Sequence, residues 1–202
     1  MKPTSGTARI DGIDILENPV AAKRITGFIP DKPFIYEKLT GREFLRFIGG
    51  LYDLERKTTD KRIEELLELF EIKDWGDELV EGFSHGMRQK LVLSAALMHE
   101  PKALVVDEPM VGLDPRGSLL IKKIFKSICQ KGVSIFMSTH SLDIAEELCD
   151  RIAIIHRGEL IALGTREELK AQAATQESRL VEIFLQLTNA EPVKDLIEFL
   201  QN

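Results

Sequence analysis

The stretch "KALVVD", residues 102–107, constrains the fold of this chain more than any other. Its continuous aliphatic run is typical of a short β-strand that is covered on both faces, as in a parallel sheet. Two acids, Asp107 and Glu108, stand where the strand should end, and a glycine turn leads from them to Asp114. Open α/β folds bind ligands at the carboxyl edge of such sheets. The stretch therefore predicts an α/β fold with a polar site at that edge.

Strands and helices alternate along much of the remaining sequence. "GTARIDGIDI" predicts a β-hairpin, "RITGFIP" a strand that ends at Pro30, and "VSIFMST" a second buried strand. "RIAIIHRG" and "ELIALGT" predict two strands joined by a turn, and Pro115 fits the first turn of a helix capped by Asp114. Further helices are expected near residues 18–23, 165–173, 178–187 and 192–201.

Residues 31–100 differ from this alternation, because three helical stretches follow one another there without a strand. Thr40 and Ser84 are suited to cap the first and the last of them. We therefore expect a mostly parallel α/β core with an inserted all-helical lobe. Its segments would be an N-terminal β-region at 1–30, the lobe at 31–100, the α/β core at 101–164 and C-terminal helices at 165–202.

The net charge argues against a nucleic-acid partner, and the hydropathy argues against a membrane-spanning helix. The 202 residues have a formal net charge of −6. Non-specific nucleic-acid binding depends on a surplus of Lys and Arg, so no nucleic-acid partner is expected. No apolar run approaches the ~20 residues that a helix needs to cross a bilayer. The composition indicates an acidic intracellular α/β domain.

The acids after "KALVVD" are suited to nucleotide hydrolysis. Asp107 at the carboxyl edge could bind Mg²⁺ directly or through water, and Glu108 could polarise a water for in-line attack on a terminal phosphate. The alternative is a strand end with two solvated acids. His140, two residues after the strand "VSIFMST", should reach the same edge and could donate a hydrogen bond to a γ-phosphate. A polar loop histidine is the alternative for His140.

The stretch "FSHGMRQKL" begins an amphipathic helix at Ser84. A serine hydroxyl next to the unpaired N–H groups of a helix start forms an anion site. An ordinary capped helix that packs its Met and Leu side chains has the same pattern, and periodicity alone leaves both interpretations open.

Together these stretches resemble an ATP-binding cassette (ABC) ATPase, the P-loop-type motor subunit of ABC transporters. Five motifs of that family have counterparts here in the expected order, and together they are specific. They are the Q-loop region "GFIPDKPFIYEKLTGREFL", the signature "FSHGMRQKL", the Walker B strand "VVDEP", the D-loop "VGLD" and the switch "STH".

The resemblance implies ATP and Mg²⁺ as ligands and a role for each matching residue. Asp107 would serve the magnesium, Glu108 the attacking water and His140 the γ-phosphate. Two cassettes of the family bind two ATP head to tail, so Ser84, Gly86 and nearby backbone would close over the ATP of a second ABC ATPase subunit. Asp114 would cross the dimer interface.

The chain departs from the family pattern in three respects. Asp31 stands where the family has the Q-loop glutamine, and its carboxylate can still reach magnesium or water. His85 and Met87 replace the first glycine and the glutamine of the signature, and the His85 ring could crowd the γ-phosphate or donate to it. The variant "SHGM" resembles exporter-type cassettes of the drug, antibiotic and sodium-efflux kind.

The third departure is an absence: the 202 residues contain no phosphate loop of the form GxxxxGK[ST]. In the family this Walker A loop and its helix come just before a hairpin like "PTSGTARIDG". We therefore expect an N-terminally truncated cassette that is inactive alone. Loss of the loop's strand and helix would expose flanking strand edges and apolar faces.

The leading hypothesis is an ATP-hydrolysing ABC subunit that drives transport, in the export direction, through a separate transmembrane permease from the cytoplasmic face of the membrane. A groove near "DKPFIYEKLT" would receive the permease, with Phe34, Tyr36 and Leu39 as candidate contacts; packing within the lobe is the alternative for these three. A second hypothesis is a non-catalytic partner that donates only the signature and the D-loop in trans. A soluble ABC protein of translation or DNA repair, or another magnesium NTPase such as a helicase, fits the motifs less well.

Overall fold

In the computed structural model, which describes residues 3–32, 34–174 and 179–188, strands and helices alternate around a helical block as predicted. The chain divides into two compact units, Met1–Ser138 and Thr139–Asn202. The α/β class, the parallel sheet and the inserted helices are therefore confirmed. The division into four segments stays a prediction.

The first unit contains a parallel sheet of three described strands in the order β3-β4-β5. Its strands are β3 (Thr26–Ile29), β4 (Ala103–Asp107) and β5 (Ser134–Ser138). They are preceded by the predicted antiparallel hairpin of β1 (Arg9–Ile10) and β2 (Ile13–Asp14) and by helix α1 (Pro19–Arg24). Helix α5 (Pro115–Gln130) connects β4 to β5.

The helical block lies between β3 and β4 and consists of α2 (Gly41–Leu51), α3 (Arg56–Leu69) and α4 (His85–Leu97). Helix α2 begins where predicted, because Thr40 forms a capping box with Glu43: the Thr40 hydroxyl accepts from the Glu43 amide at 3.2 Å, and the Glu43 carboxylate accepts from the Thr40 amide at 2.9 Å. Buried apolar side chains from all three helices form the core of the block, including Phe44, Leu45, Ile63, Leu67 and Leu91.

The two faces of the sheet differ in how they are covered. Ile29, Leu104 and Val106 on one face are at most 1% exposed. On the other face the register brings Phe28, Val105 and Phe136 into one row, where Phe28 is 60% and Phe136 72% exposed. The prediction that "VSIFMST" forms a buried strand was therefore wrong. β5 lies at an edge of the described sheet, and no described element covers Phe136.

The second unit packs two strands against three helices. It contains α6 (Leu142–Leu148), the antiparallel pair β6 (Ile152–His156) and β7 (Glu159–Gly164), α7 (Arg166–Gln172) and α8 (Leu180–Thr188). Its core consists of Ala145, Ile154, Ala162, Leu169, Leu180 and Ile183. The helix predicted at 192–201 lies outside the described residues. None of the helices in the described ranges has the length and apolar character that a membrane span requires.

Candidate functional site

The predicted acids lie at the carboxyl edge of the three-stranded sheet. Asp107 is the last residue of β4 and is paired in register with Ser138, the last residue of β5. The Ser138 hydroxyl donates a hydrogen bond to the exposed Asp107 carboxylate. Asp31 follows β3 by two residues, and β3 ends with Ile29 opposite Val106. The backbone therefore places Asp31 and Asp107 at the same edge.

Glu108 has a left-handed backbone conformation, with φ of 47°. For a residue with a Cβ this conformation costs roughly 1–2 kcal/mol. Two backbone hydrogen bonds fix it: the Glu108 amide donates to the Ser138 carbonyl at 3.1 Å, and the Glu108 carbonyl accepts from the Val111 amide at 3.3 Å. Such strain in non-glycine residues concentrates at active sites and ligand clamps. Half-buried Glu108 thus leaves the strand direction at the point where a water-activating base is predicted.

The turn after Glu108 ends in the predicted helix cap. Gly112 has a positive φ of 74°, and the Asp114 carboxylate accepts from the Gly117 amide at 2.7 Å as the N-cap of α5. One oxygen of the Asp114 carboxylate is thereby used for capping.

Ser84 is the N-cap of α4, as predicted. Its hydroxyl oxygen accepts from the Met87 amide at 3.3 Å. A serine hydroxyl that accepts in this way still has its own proton to donate. The start of α4 therefore combines a hydroxyl donor with the N–H groups of a helix terminus.

One cavity of about 460 Å³ brings the signature and D-loop residues together. Ser84, His85, Gly86 and Met87 line it from the start of α4, and Asp114 lines it from the start of α5. All of these residues belong to the first unit. The two sequence stretches, some 25 residues apart in the chain, thus line one cavity.

His140 belongs to the second unit, which begins at Thr139. It is exposed and follows Ser138 by two residues, and its neighbour Ser141 caps α6 by accepting from the Ile144 amide at 3.4 Å. The predicted convergence of His140 with Asp107 stays a prediction.

The residues present are compatible with magnesium. Within the described parts of the chain, no group of three or more His, Cys, Asp or Glu side chains could bind a metal ion by itself. Mg²⁺ in nucleotide sites usually keeps several waters and needs only one or two carboxylates besides the phosphates. The exposed Asp107 carboxylate, oriented by Ser138, is a metal ligand of that kind.

Sequence reasoning missed two residues of these sites. Ser138 orients Asp107, and a small hydroxyl at the end of a neighbouring parallel strand was the available signal. Half-buried Lys90 lines the cavity between α4 and the D-loop turn. Its position on the signature helix, two turns after Ser84, could have indicated it.

Comparison with known proteins agrees with this geometry. The family model described as ABC transporter matches residues 1–111. The chain is 34% identical over 191 residues to the ABC-type transporter ATP-binding protein EcsA of Bacillus subtilis, which covers 95% of the chain and 77% of EcsA. This chain is also 37% identical over 188 residues to the probable multidrug ABC transporter ATP-binding protein YbhF of Escherichia coli.

That match covers 92% of this chain but only about a third (32%) of YbhF, so the chain spans only part of this relative's length. Among solved structures, one described as the structure of the ATP binding subunit of an ABC transporter superposes with a TM-score of 0.87 at 32% identity, covering 93% of this chain and 78% of that one. Sequence and fold agree on one assignment: the chain belongs to the ABC transporter family and has the fold of its ATP-binding subunits.

Proposed function

We propose that this chain is the ATP-hydrolysing part of an ABC transporter and that it powers export through a separate membrane permease from the cytoplasmic face. The observation that carries this proposal is the carboxyl edge of the sheet, where Ser138 orients Asp107 and Glu108 has a strained, left-handed backbone conformation. The direction is supported by relatives named for drug handling, such as the daunorubicin resistance ATP-binding protein DrrA3 of Streptomyces coeruleorubidus.

The chemistry follows from the charges at this edge. Asp107, with Asp31 beside it, would bind Mg²⁺, which neutralises phosphate charge as the terminal phosphoryl group leaves. The Glu108 carboxylate would accept a hydrogen bond from the attacking water and take up its proton. His140 would donate a hydrogen bond to the γ-phosphate and lose that contact after hydrolysis.

The phosphate-binding loop of this site would lie outside the 202 residues, because GxxxxGK[ST] does not occur among them. Support comes from the bare sheet face, since Phe136 is an aromatic residue in the middle of its strand and yet is 72% exposed. A helix supplied by another segment would cover such a face. The chain as it stands would then not hydrolyse ATP alone.

A second candidate function is that of a partner in trans, and the cavity between α4 and the turn at 112–114 favours it. Ser84, His85, Gly86, Met87 and Asp114 line this cavity within the first unit and need no phosphate loop from the same chain. They would close over the ATP bound by a second ABC ATPase subunit, so that this chain completes a site that it does not own.

ATP-dependent pairing tests the trans role. An intact ABC cassette whose catalytic glutamate is changed to glutamine, so that ATP persists, would be mixed with this chain and Mg-ATP and followed by analytical ultracentrifugation. We expect a heterodimer with ATP and none without it. Ser84→Arg should abolish the heterodimer by filling the cavity, whereas the matched Ser127→Arg, on the exposed side of α5, should not. Absence of any ATP-dependent pairing would remove this role.

An aromatic groove of about 340 Å³ in the first unit is the proposed docking site of the permease. Phe34 is 87% exposed at its rim and contacts Tyr36 edge to face, and Tyr36 contacts Phe47 in the same way. Leu39, the third residue predicted for this contact, is half-buried. An amphipathic helix of a membrane protein would bury these rings.

Co-expression with a candidate ABC permease would test this docking site. Phe34→Ala should reduce co-purification of the two proteins at least several-fold, since a buried aromatic is often an interface hot spot. Trp75→Ala removes another exposed aromatic (51%), in the short 3₁₀ helix Lys73–Trp75 that does not line the groove, and should leave co-purification unchanged. Equal losses for both variants would contradict this assignment.

A further inference from the structure

His85 makes a contact that its proposed role at the ATP site does not use. Its ring nitrogen Nε2 lies 3.3 Å from the backbone carbonyl oxygen of Val111. A carbonyl only accepts hydrogen bonds, so Nε2 must be the protonated, donating nitrogen. The side chain therefore connects the first turn of α4 to the first residue of the D-loop turn, 26 residues later in the chain.

The same ring packs against Gly112. A Cβ atom placed on Gly112 would lie 2.1 Å from Cδ2 and 2.4 Å from Nε2 of His85, far inside contact distance. Gly112 also has a φ of 74°, which side-chain-bearing residues rarely adopt. Glycine is thus required at this position for two separate reasons, one of which is the His85 ring.

Local hydrogen bonds hold the turn at both ends, and His85 adds a contact to it from α4. At one end, the Val111 amide donates to Glu108 at 3.3 Å. At the other end, Asp114 caps α5 through Gly117 at 2.7 Å. The signature resemblance has a glycine where this chain has His85, and a glycine has no side chain that could form this contact.

We propose that His85 is a positioning residue that ties the turn 111–113 to the first turn of α4. The tie keeps Ser84 and Asp114 at a fixed spacing across the cavity that both line. The signature and the D-loop then move as one body, and the consequence of this for ATP-dependent pairing rests on the proposed function. The tie itself is a property of the chain alone.

Hydrogen exchange of the turn amides measures the tie directly, without ATP or a partner. The Val111 and Leu113 amides donate within the turn, so their protection reports its order. His85→Gly should speed their exchange about 3- to 10-fold, the loss expected for one neutral hydrogen bond. His85→Gln, whose side-chain amide can still donate, should restore most of the protection. Unchanged exchange in His85→Gly, or no rescue by glutamine, would overturn the proposal.

The ring itself supplies a spectroscopic test. In a chain labelled with ¹⁵N-histidine and studied at alkaline pH, the chemical shifts of the ring nitrogens show which nitrogen of a neutral ring carries the proton. We expect His85 to be protonated at Nε2. Protonation at Nδ1 would contradict the bond to Val111, whatever the result of the exchange experiment.

A double-mutant cycle separates the tie from backbone strain. Gly112→Ala should displace the His85 ring and also strain the backbone, so turn exchange should rise at least to the level of His85→Gly, and adding His85→Gly to Gly112→Ala should raise it little further. Gly132→Ala is the matched control, because Gly132 also has a positive φ (91°) but no atom within 4 Å of its would-be Cβ; it should leave the turn unchanged. Additive effects of Gly112→Ala and His85→Gly would refute the tie. These outcomes do not depend on whether the chain pairs with a cassette.

Discussion

His99 joins the helical block to the sheet through a single side chain. Its ring stacks on Tyr52, with centroids 3.6 Å apart and planes 6° from parallel, and its Nε2 donates to the Thr26 carbonyl at 3.2 Å. Nδ1 is buried and has no hydrogen-bond partner among the described residues. Burial lowers the pKa of His99, the Thr26 hydrogen bond opposes that shift, and the charge of Arg62 adds to it. The fold therefore favours the neutral ring.

This lowered pKa predicts how stability depends on pH. The unfolded chain takes up a proton at His99 near pH 6.5, whereas the folded chain resists it, so the free energy of unfolding should decrease as pH falls from 6.5 toward the lower folded pKa of His99. His99→Gln cannot titrate there. The difference in melting temperature between wild type and His99→Gln should shrink between pH 7.5 and pH 5. A difference that is constant or grows over this range would contradict the account.

For individual residues, the sequence predicts contacts between residues that are close in the chain and misses contacts between residues that are far apart in the chain. Ser84 and Asp114 were predicted as caps, because a cap contacts an amide only three residues away. The bonds from Ser138 to Asp107 and from His85 to Val111 join residues 31 and 26 positions apart. Those pairs depend on how the strands and helices pack, which residue type and spacing do not specify.

Helix α4 approaches strand β3 closely at Gly27. A Cβ atom on Gly27 would lie 2.4 Å from Cδ2 of Leu104 and 2.6 Å from the backbone oxygen of Ala96. A side-chain end can rotate away, but a helix backbone cannot. Gly27 therefore fixes the distance between the sheet and the signature helix.

Two glycine substitutions should consequently have opposite effects. Gly27→Ala should destabilise the first unit by about 1–3 kcal/mol, the usual cost of overpacking. Gly50→Ala, in α2 with no atom within 4 Å of its would-be Cβ, should stabilise it by up to about 1 kcal/mol through helix propensity. Chemical denaturation measures both. A Gly27→Ala protein as stable as wild type would show that α4 is not fixed against β3.

The sequence predicted where helices begin more reliably than it predicted how deeply strands are buried. The Thr40 capping box is local, and α2 begins where that signal predicts. The run "VSIFMST" correctly predicted a strand but not its burial, since Phe136 is 72% exposed. An apolar run indicates that a strand can be buried. Whether it is buried depends on which other segment packs against it, and the run itself does not specify that segment.

For the molecule as a whole, the bare face of Phe28, Val105 and Phe136 is the feature with the largest consequence. Exposed aromatic rows of this kind bind hydrophobic dyes and promote association. Phe136→Thr should lower dye fluorescence and light scattering while changing the free energy of unfolding by only about 0.5 kcal/mol, as for a surface site. Phe125→Ala is the buried counterpart (3% exposed) and should cost about 3–5 kcal/mol. A comparable cost for Phe136→Thr would mean that its face is covered.

The same bare face bears on how ATP is bound, because the proposed function places the phosphate loop outside these residues. Such a loop provides several backbone N–H bonds and a lysine to the phosphates. Losing three charge-assisted bonds removes roughly 5–9 kcal/mol. This corresponds to a roughly 10³- to 10⁶-fold weaker affinity. Asp107, Glu108 and Asp31 cannot replace these donors, since carboxylates only accept.

Isothermal titration of the 202-residue chain with Mg-ATP tests this central claim most directly. At micromolar protein concentration, we expect no saturable binding in the micromolar range, although the family to which the chain belongs binds ATP. Saturable binding with a micromolar Kd would contradict the account, because it would mean that these residues contain a complete phosphate site.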